Sequence, residues 1–192
     1  MREGAFPDVR DILKGNADPC LFSEVIMNIH HLTRLAILTS AALILFLIEL
    51  RLPAPVPIPG VKLGLANIIT IYAVYRYKPS EVFLIVAARI LLGSFFAGQM
   101  TVIFYSTAGA VLCLGASLCL CRILPEHYLP ITSALGAVFH NTGQLAAASI
   151  LMGTGAVILW YPYLVLSGIL TGLFTGFTVS FFIKRQLFGF HP

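Results

Sequence analysis

The sequence predicts an all-α integral membrane protein of six transmembrane helices with both termini in the cytoplasm. An apolar composition, six apolar segments and a lopsided distribution of Lys and Arg carry this reading. Hydrophobic residues make up 58% of the 192 and charged residues only 10%, and the mean hydropathy is +0.92. Soluble domains carry about 25% charged residues. This chain has too little polar surface to cover a soluble globule, so its natural solvent is lipid.

Residues 1–33 read as a cytoplasmic tail ending in an interfacial helix. Residues 1–17 are polar. Asp18-Pro19 then has the form of a helix start, with Asp as N-cap and Pro in the first turn. Phe22, Val25, Ile26, Ile29 and Leu32 follow at helical spacing with Glu24, Asn28 and His31 between them, as in an amphipathic helix on a membrane surface. The first twenty residues lack an apolar core and carry acids, so no cleavable signal peptide is expected.

Residues 34–192 form the predicted six-helix domain. The apolar segments cover about 35–50, 61–75, 82–97, 101–121, 129–152 and 157–183. A straight span takes about 20 apolar residues, so the second segment is short and is expected to be broken or partly re-entrant. The Pro-rich stretch from Pro53 to Pro59 before it cannot be helical, because each Pro disfavours helix in the preceding residue. Gly60 is expected to open the next helix.

Orientation follows from the basic residues. With the N-terminus inside, Arg2, Arg10, Lys14, Arg34, Arg76, Lys78, Arg122, Lys184 and Arg185 fall on the cytoplasmic side. Only Arg51 and Lys62 fall outside, and Arg89 lies within a span. Positive residues concentrate on the cytoplasmic side of membrane proteins. Trp160, Tyr161 and Tyr163 then sit at the outer interface, where aromatic belts form. The basic residues stand singly at span boundaries and form no run, so nucleic acid is not an expected partner. Cys20, Cys113, Cys119 and Cys121 form no CxxC pair and read as buried free thiols.

Small residues mark packing faces. Gly168, Gly172 and Gly176 repeat at i+4 with Thr171 and Thr175 beside them, and Ala36 with Ser40 gives a shorter version in the first span. Such ridges let helices approach closely, either within the chain or against another membrane subunit.

Polar groups in hydrocarbon need partners or a ligand. In the N-inside orientation Lys62 and Asn67 lie in the outer half of the second span and Arg89 near the middle of the third. Gln99 lies at the third span's outer mouth, Tyr105 and Ser106 in the outer half of the fourth, and His140 and Asn141 at mid-depth in the fifth. Gln144 lies one turn further out than His140 and shares its face. This convergence predicts a substrate pocket open to the outside, formed by Lys62, Asn67, Arg89, Tyr105, His140, Asn141 and Gln144. With Glu49 the only acid near that depth, an anionic or carbonyl-rich ligand is favoured. His30 and His31 are expected at the cytoplasmic surface. No metal site or cofactor is expected. Prenyl-diphosphate chemistry uses clustered acids to hold Mg²⁺, and none cluster after residue 24; there is no phosphate-binding loop for ATP hydrolysis and no intramembrane histidine pair suited to haem.

Four stretches carry a family resemblance: Gly60-Val61-Lys62-Leu63-Gly64-Leu65-Ala66-Asn67-Ile68, Arg89-Ile90-Leu91-Leu92-Gly93, Tyr105-Ser106-Thr107-Ala108-Gly109 and the segment from Gly136 to Leu145 containing His140, Asn141 and Gln144. Over about 34–184 the chain resembles the Gx transporter family, also labelled heptaprenyl diphosphate synthase component I. That family is similar to the substrate-binding S components of energy-coupling-factor transporters. The resemblance implies an S-component-like bundle in a bacterial cytoplasmic membrane that takes up a vitamin-like small molecule. It also implies a transmembrane coupling subunit and an ATPase pair as partners, with Ala36 and Ser40 at the docking face in a variant of the Ala-x-x-x-Ala signature. The alternatives are a non-catalytic membrane component of isoprenoid or quinone synthesis, and a scaffold in a membrane redox complex.

Overall fold

The computed structural model describes residues 19–49, 51, 64–98 and 100–185, with the backbone alone for 19–28. The described residues form helices and turns. The chain divides into two compact units, Met1–Ile37 and Leu38–Pro192. In the first, the described part is helical from Pro19, and the Thr33 hydroxyl donates back to Ile29 O at 2.8 Å. Asp18 lies outside the described residues. His30 and His31 are both exposed.

Among the described residues six α-helices follow one another: α1 (Pro19–Glu49), α2 (Asn67–Arg76), α3 (Pro79–Ala97), α4 (Thr101–Ile123), α5 (Leu129–Met152) and α6 (Tyr161–Lys184). Two 3-10 turns, Glu126–Tyr128 and Gly155–Trp160, lead into α5 and α6. The expected separate interfacial helix and first span are one continuous helix, α1, because no Gly or Pro interrupts the chain between Pro19 and Glu49. The second helix begins at Asn67, after a turn at Gly64 whose φ is +87°; Gly60 lies outside the described residues. The ten residues of α2 are fewer than the roughly 20 of a straight span. The other ends follow local chemistry. Pro79 sits in the first turn of α3, where the Lys78 backbone N–H donates to the Glu81 carboxylate at 3.0 Å. Gly98 and Gly153 close α3 and α5 in the left-handed conformation.

Four stretches are long and apolar enough to cross a membrane: Ile29–Glu49, Pro79–Ala97, Thr101–Ile123 and Gly155–Lys184. α5 has the length, but His140, Asn141, Gln144 and its hydroxyl residues lower its hydropathy. α5 is the central helix of the second unit, packed against α4 on one side and α6 on the other. Both pairs run antiparallel. Gly109 meets His140 and Gln144 while Gly136 meets Ser117; on the other side Gly168 meets Asn141 while Gly176 meets Pro130. The glycine ridge of α6 is therefore an internal seam. A Cβ on Gly172 would lie 2.5 Å from the Ala134 Cα, so only glycine lets the two backbones come this close. α2 also runs antiparallel to α5, with Asn67 near the level of His140 and the Tyr75 hydroxyl donating to Thr132 Oγ1 at 3.1 Å.

Outward-facing Phe83, Phe95, Phe104, Leu166, Phe174 and Phe177 are all exposed, as expected of helices solvated by lipid. Cys113, Cys119 and Cys121 are free thiols. Only Cys113 is buried; Cys119 is exposed and Cys121 half-buried, because the buried stripe of α4 runs through Gly109, Cys113 and Ser117. The side chain of Cys20 lies outside the described residues.

Candidate functional site

Two groups of polar residues in the second unit stand out, apart from the scattered buried hydroxyls of Ser94 and Ser117. The first pairs with itself. Ser133 and Thr175 share a hydrogen bond of 2.7 Å across the α5–α6 seam, and Thr175 also donates to Gly172 O at 2.9 Å. Asn141 Nδ2 donates to Leu164 O at 2.8 Å. These groups close the seam and leave those donors nothing further to bind.

The second group gathers where α2 begins. Glu49, at the end of α1, is buried and accepts a hydrogen bond from the Gly64 N–H. This bond ties the start of the α2 turn to the end of α1. Gly64 adopts a positive φ that side chains disfavour, and a Cβ there would lie 3.0 Å from Asn67 Nδ2 and 3.9 Å from His140 Cδ2. A Cβ on Gly109 would lie 2.8 Å from His140 Cε1 and 2.9 Å from Gln144 Cγ. Glycine at 109 makes room for the imidazole and the Gln144 stem against α4, and Gly64 packs close to the Asn67 amide. Gly64, Asn67, Gly109, His140 and Gln144 thus form one cluster contributed by three structural elements, with Glu49 bonded to its edge.

Arg89 on α3 is only 4% exposed. It lies within electrostatic reach of Glu49 and of Cys113, one turn from Gly109 on the buried stripe of α4. Among the described residues, neither Arg89 Nε nor Asn67 Nδ2 has a hydrogen-bond partner. Buried donors in native structures are rarely left so, and in hydrocarbon the penalty is several kcal/mol per group. The cluster offers unspent donors, whereas the seam spends its own.

The structure thus brings Asn67, His140 and Gln144 together and leaves Arg89 buried within electrostatic reach of the Glu49 that borders them. It turns Asn141 toward α6. Tyr105 is buried in an apolar cluster with Leu145, Ala148, Val157 and Leu164. Lys62 and Gln99 lie outside the described residues. Gly64 and Gly109 also belong to the cluster and were not among the expected site residues; both lie in the stretches that carry the family resemblance. Ala36 and Ser40 are each exposed.

A groove away from the cluster has a different character. Between α3 and α4 a groove of about 440 Å³ is lined by Phe83, Ile90, Val111, Leu118 and other apolar side chains, with Thr107 as a polar exception.

A family model described as heptaprenyl diphosphate synthase component I matches residues 38–182. No curated protein and no solved structure matches the chain.

Proposed function

The chain belongs to the heptaprenyl diphosphate synthase component I family, and from that premise we propose that it is a non-catalytic membrane subunit that captures a small organic molecule in the cluster around Asn67, Arg89, His140 and Gln144. In this reading the cluster opens to the outside of a bacterial cytoplasmic membrane with both termini inside. The captured molecule is passed to a transmembrane coupling subunit and an ATPase pair. The observation that carries the reading is that, among the described residues, the buried donors Asn67 Nδ2 and Arg89 Nε have no hydrogen-bond partner while Ser133, Thr175 and Asn141 of the α5–α6 seam have theirs. The resemblance to S components supports the choice of transport. The test is purification of the full chain in mild detergent, release of bound molecules by denaturation, and mass spectrometry. A small polar molecule released near one per chain, and lost from an Asn67→Ala variant, supports capture. Release of lipid alone refutes it.

The groove between α3 and α4 favours a second reading. Its size and apolar lining suit a linear isoprenoid chain, which fits a membrane component of prenyl diphosphate synthesis as the family's name has it. In that case the same extraction yields a polyprenyl compound, and enlarging Ala110 to Phe removes it.

A further inference from the structure

We propose that the N-terminus of α2, with Asn67 and Arg89, is a subsite for the carboxylate of the captured molecule. The inference rests on the capture reading and names the chemical class of its ligand.

Three independent features point one way. The first is the position of the helix end. Ten residues of α-helix measure about 15 Å, against a hydrocarbon core of about 30 Å. Asn67 opens α2 beside His140, midway along the 24 residues of α5. The helix thus begins inside the bundle, and Ala66, Asn67 and Ile68 are all buried there. A helix N-terminus carries about half a positive charge, and broken membrane helices aim such ends at anionic groups of substrates. The second is that no side chain or acid of its own neutralises the end of α2, whose Asn67 and Ile68 N–H groups donate to the Gly64 and Leu65 carbonyls of the preceding turn. Its N-cap residue is Ala66, without a side-chain hydrogen bond, and no acid lies in its first turn. The third is a pair of buried donors that have no hydrogen-bond partner among the described residues, Asn67 Nδ2 and Arg89 Nε.

The charges decide the class of anion. Arg89 and Glu49 offset one another, and Glu49 is already engaged by the Gly64 N–H. The helix end adds a fraction of a positive charge. That sum suits a single negative charge and not the several of a diphosphate. Arginine and an amide together present fixed donors to the two oxygens of one carboxylate.

The test is thermal unfolding of the full chain in non-ionic detergent at fixed ionic strength, with sodium benzoate, benzamide and sodium pyrophosphate as probes. We expect benzoate to raise Tm in a saturable way, with no shift from benzamide or pyrophosphate. The apparent benzoate affinity should fall at least tenfold in Arg89→Gln and in Asn67→Ala, and hold in Arg122→Gln, an exposed arginine at the far end of α4. A shift from pyrophosphate but not benzoate, or a benzoate response unchanged in both site variants, overturns the proposal. The comparison of probes on the unaltered chain stands even where a variant fails to fold. A saturable shift with benzamide alone overturns the carboxylate and keeps capture. No shift with any probe, together with no molecule released on denaturation, overturns both.

Discussion

The Gly64 N–H donates to the Glu49 carboxylate, fifteen residues back along the chain, and both residues are buried. This bond closes the loop between α1 and α2 and fixes where α2 begins. Removing the acceptor leaves a buried N–H unpaired, at about 1–3 kcal/mol. We expect Glu49→Ala to lower the Tm of the purified chain by several degrees and Glu49→Gln, which keeps an acceptor oxygen, to lower it less. Equal Tm values for the two variants would show that the bond does not hold the loop.

The α5–α6 seam is expected to be intolerant of bulk. Gly172→Leu would place a side chain against the Ala134 backbone, and overpacking typically costs about 1–3 kcal/mol. Leu170, on the same helix, is 61% exposed, so Leu170→Phe is expected to leave stability unchanged. Thermal unfolding of both variants checks the contrast. If Gly172→Leu unfolds like the unaltered chain, the seam is looser than the contacts require.

Helix limits were largely legible in the sequence. The segment 129–152 coincides with α5, and the shortness of the second segment was plain from its apolar run. The joining of the amphipathic stretch to the first span was less so, because periodicity reports which face is apolar and not whether the helix continues. At the site, the i, i+4 spacing of His140 and Gln144 placed both on the face toward Gly109. The direction of Asn141 was not legible. It differs from His140 by one position, about 100° around the helix, and only the packing of α6 shows that it faces Leu164. The glycine ridge of α6 left open whether its partner was internal, since small residues permit close approach without specifying what approaches.

Topology gives a prediction that does not depend on the ligand. The asymmetry of Lys and Arg predicts both termini inside, with the turn at Gly155 outside and Lys78 inside. Both residues are exposed, and a Cβ at Gly155 meets nothing within 4 Å. In a background without native cysteines, Gly155→Cys should react with a membrane-impermeant maleimide in intact cells and Lys78→Cys only after lysis. The reverse pattern inverts the bundle and places the Asn67 cluster toward the cytoplasm.

Arg89 and Asn141 are both buried polar residues of the helical bundle, and they differ in how their donors are placed. Asn141 Nδ2 is spent on Leu164 O, so Asn141→Leu removes a buried hydrogen bond from the seam and is expected to destabilise by about 1–3 kcal/mol. Arg89 Nε bonds nothing among the described residues. Its charge is held at a cost of about 2.5–3.5 kcal/mol on membrane-insertion scales, a cost that binding an anion would offset. Arg89→Met keeps most of the stem and removes the charge. Because Glu49 then loses its nearby counter-charge, we expect Arg89→Met to lower Tm without collapsing the fold while abolishing release of the captured molecule, and Asn141→Leu to lower Tm while the folded fraction still carries that molecule. Unfolding and ligand release measured on one preparation of each variant separate the roles. A collapse of the fold in Arg89→Met, with ligand retained by whatever remains folded, would make Arg89 a structural residue and move the site elsewhere.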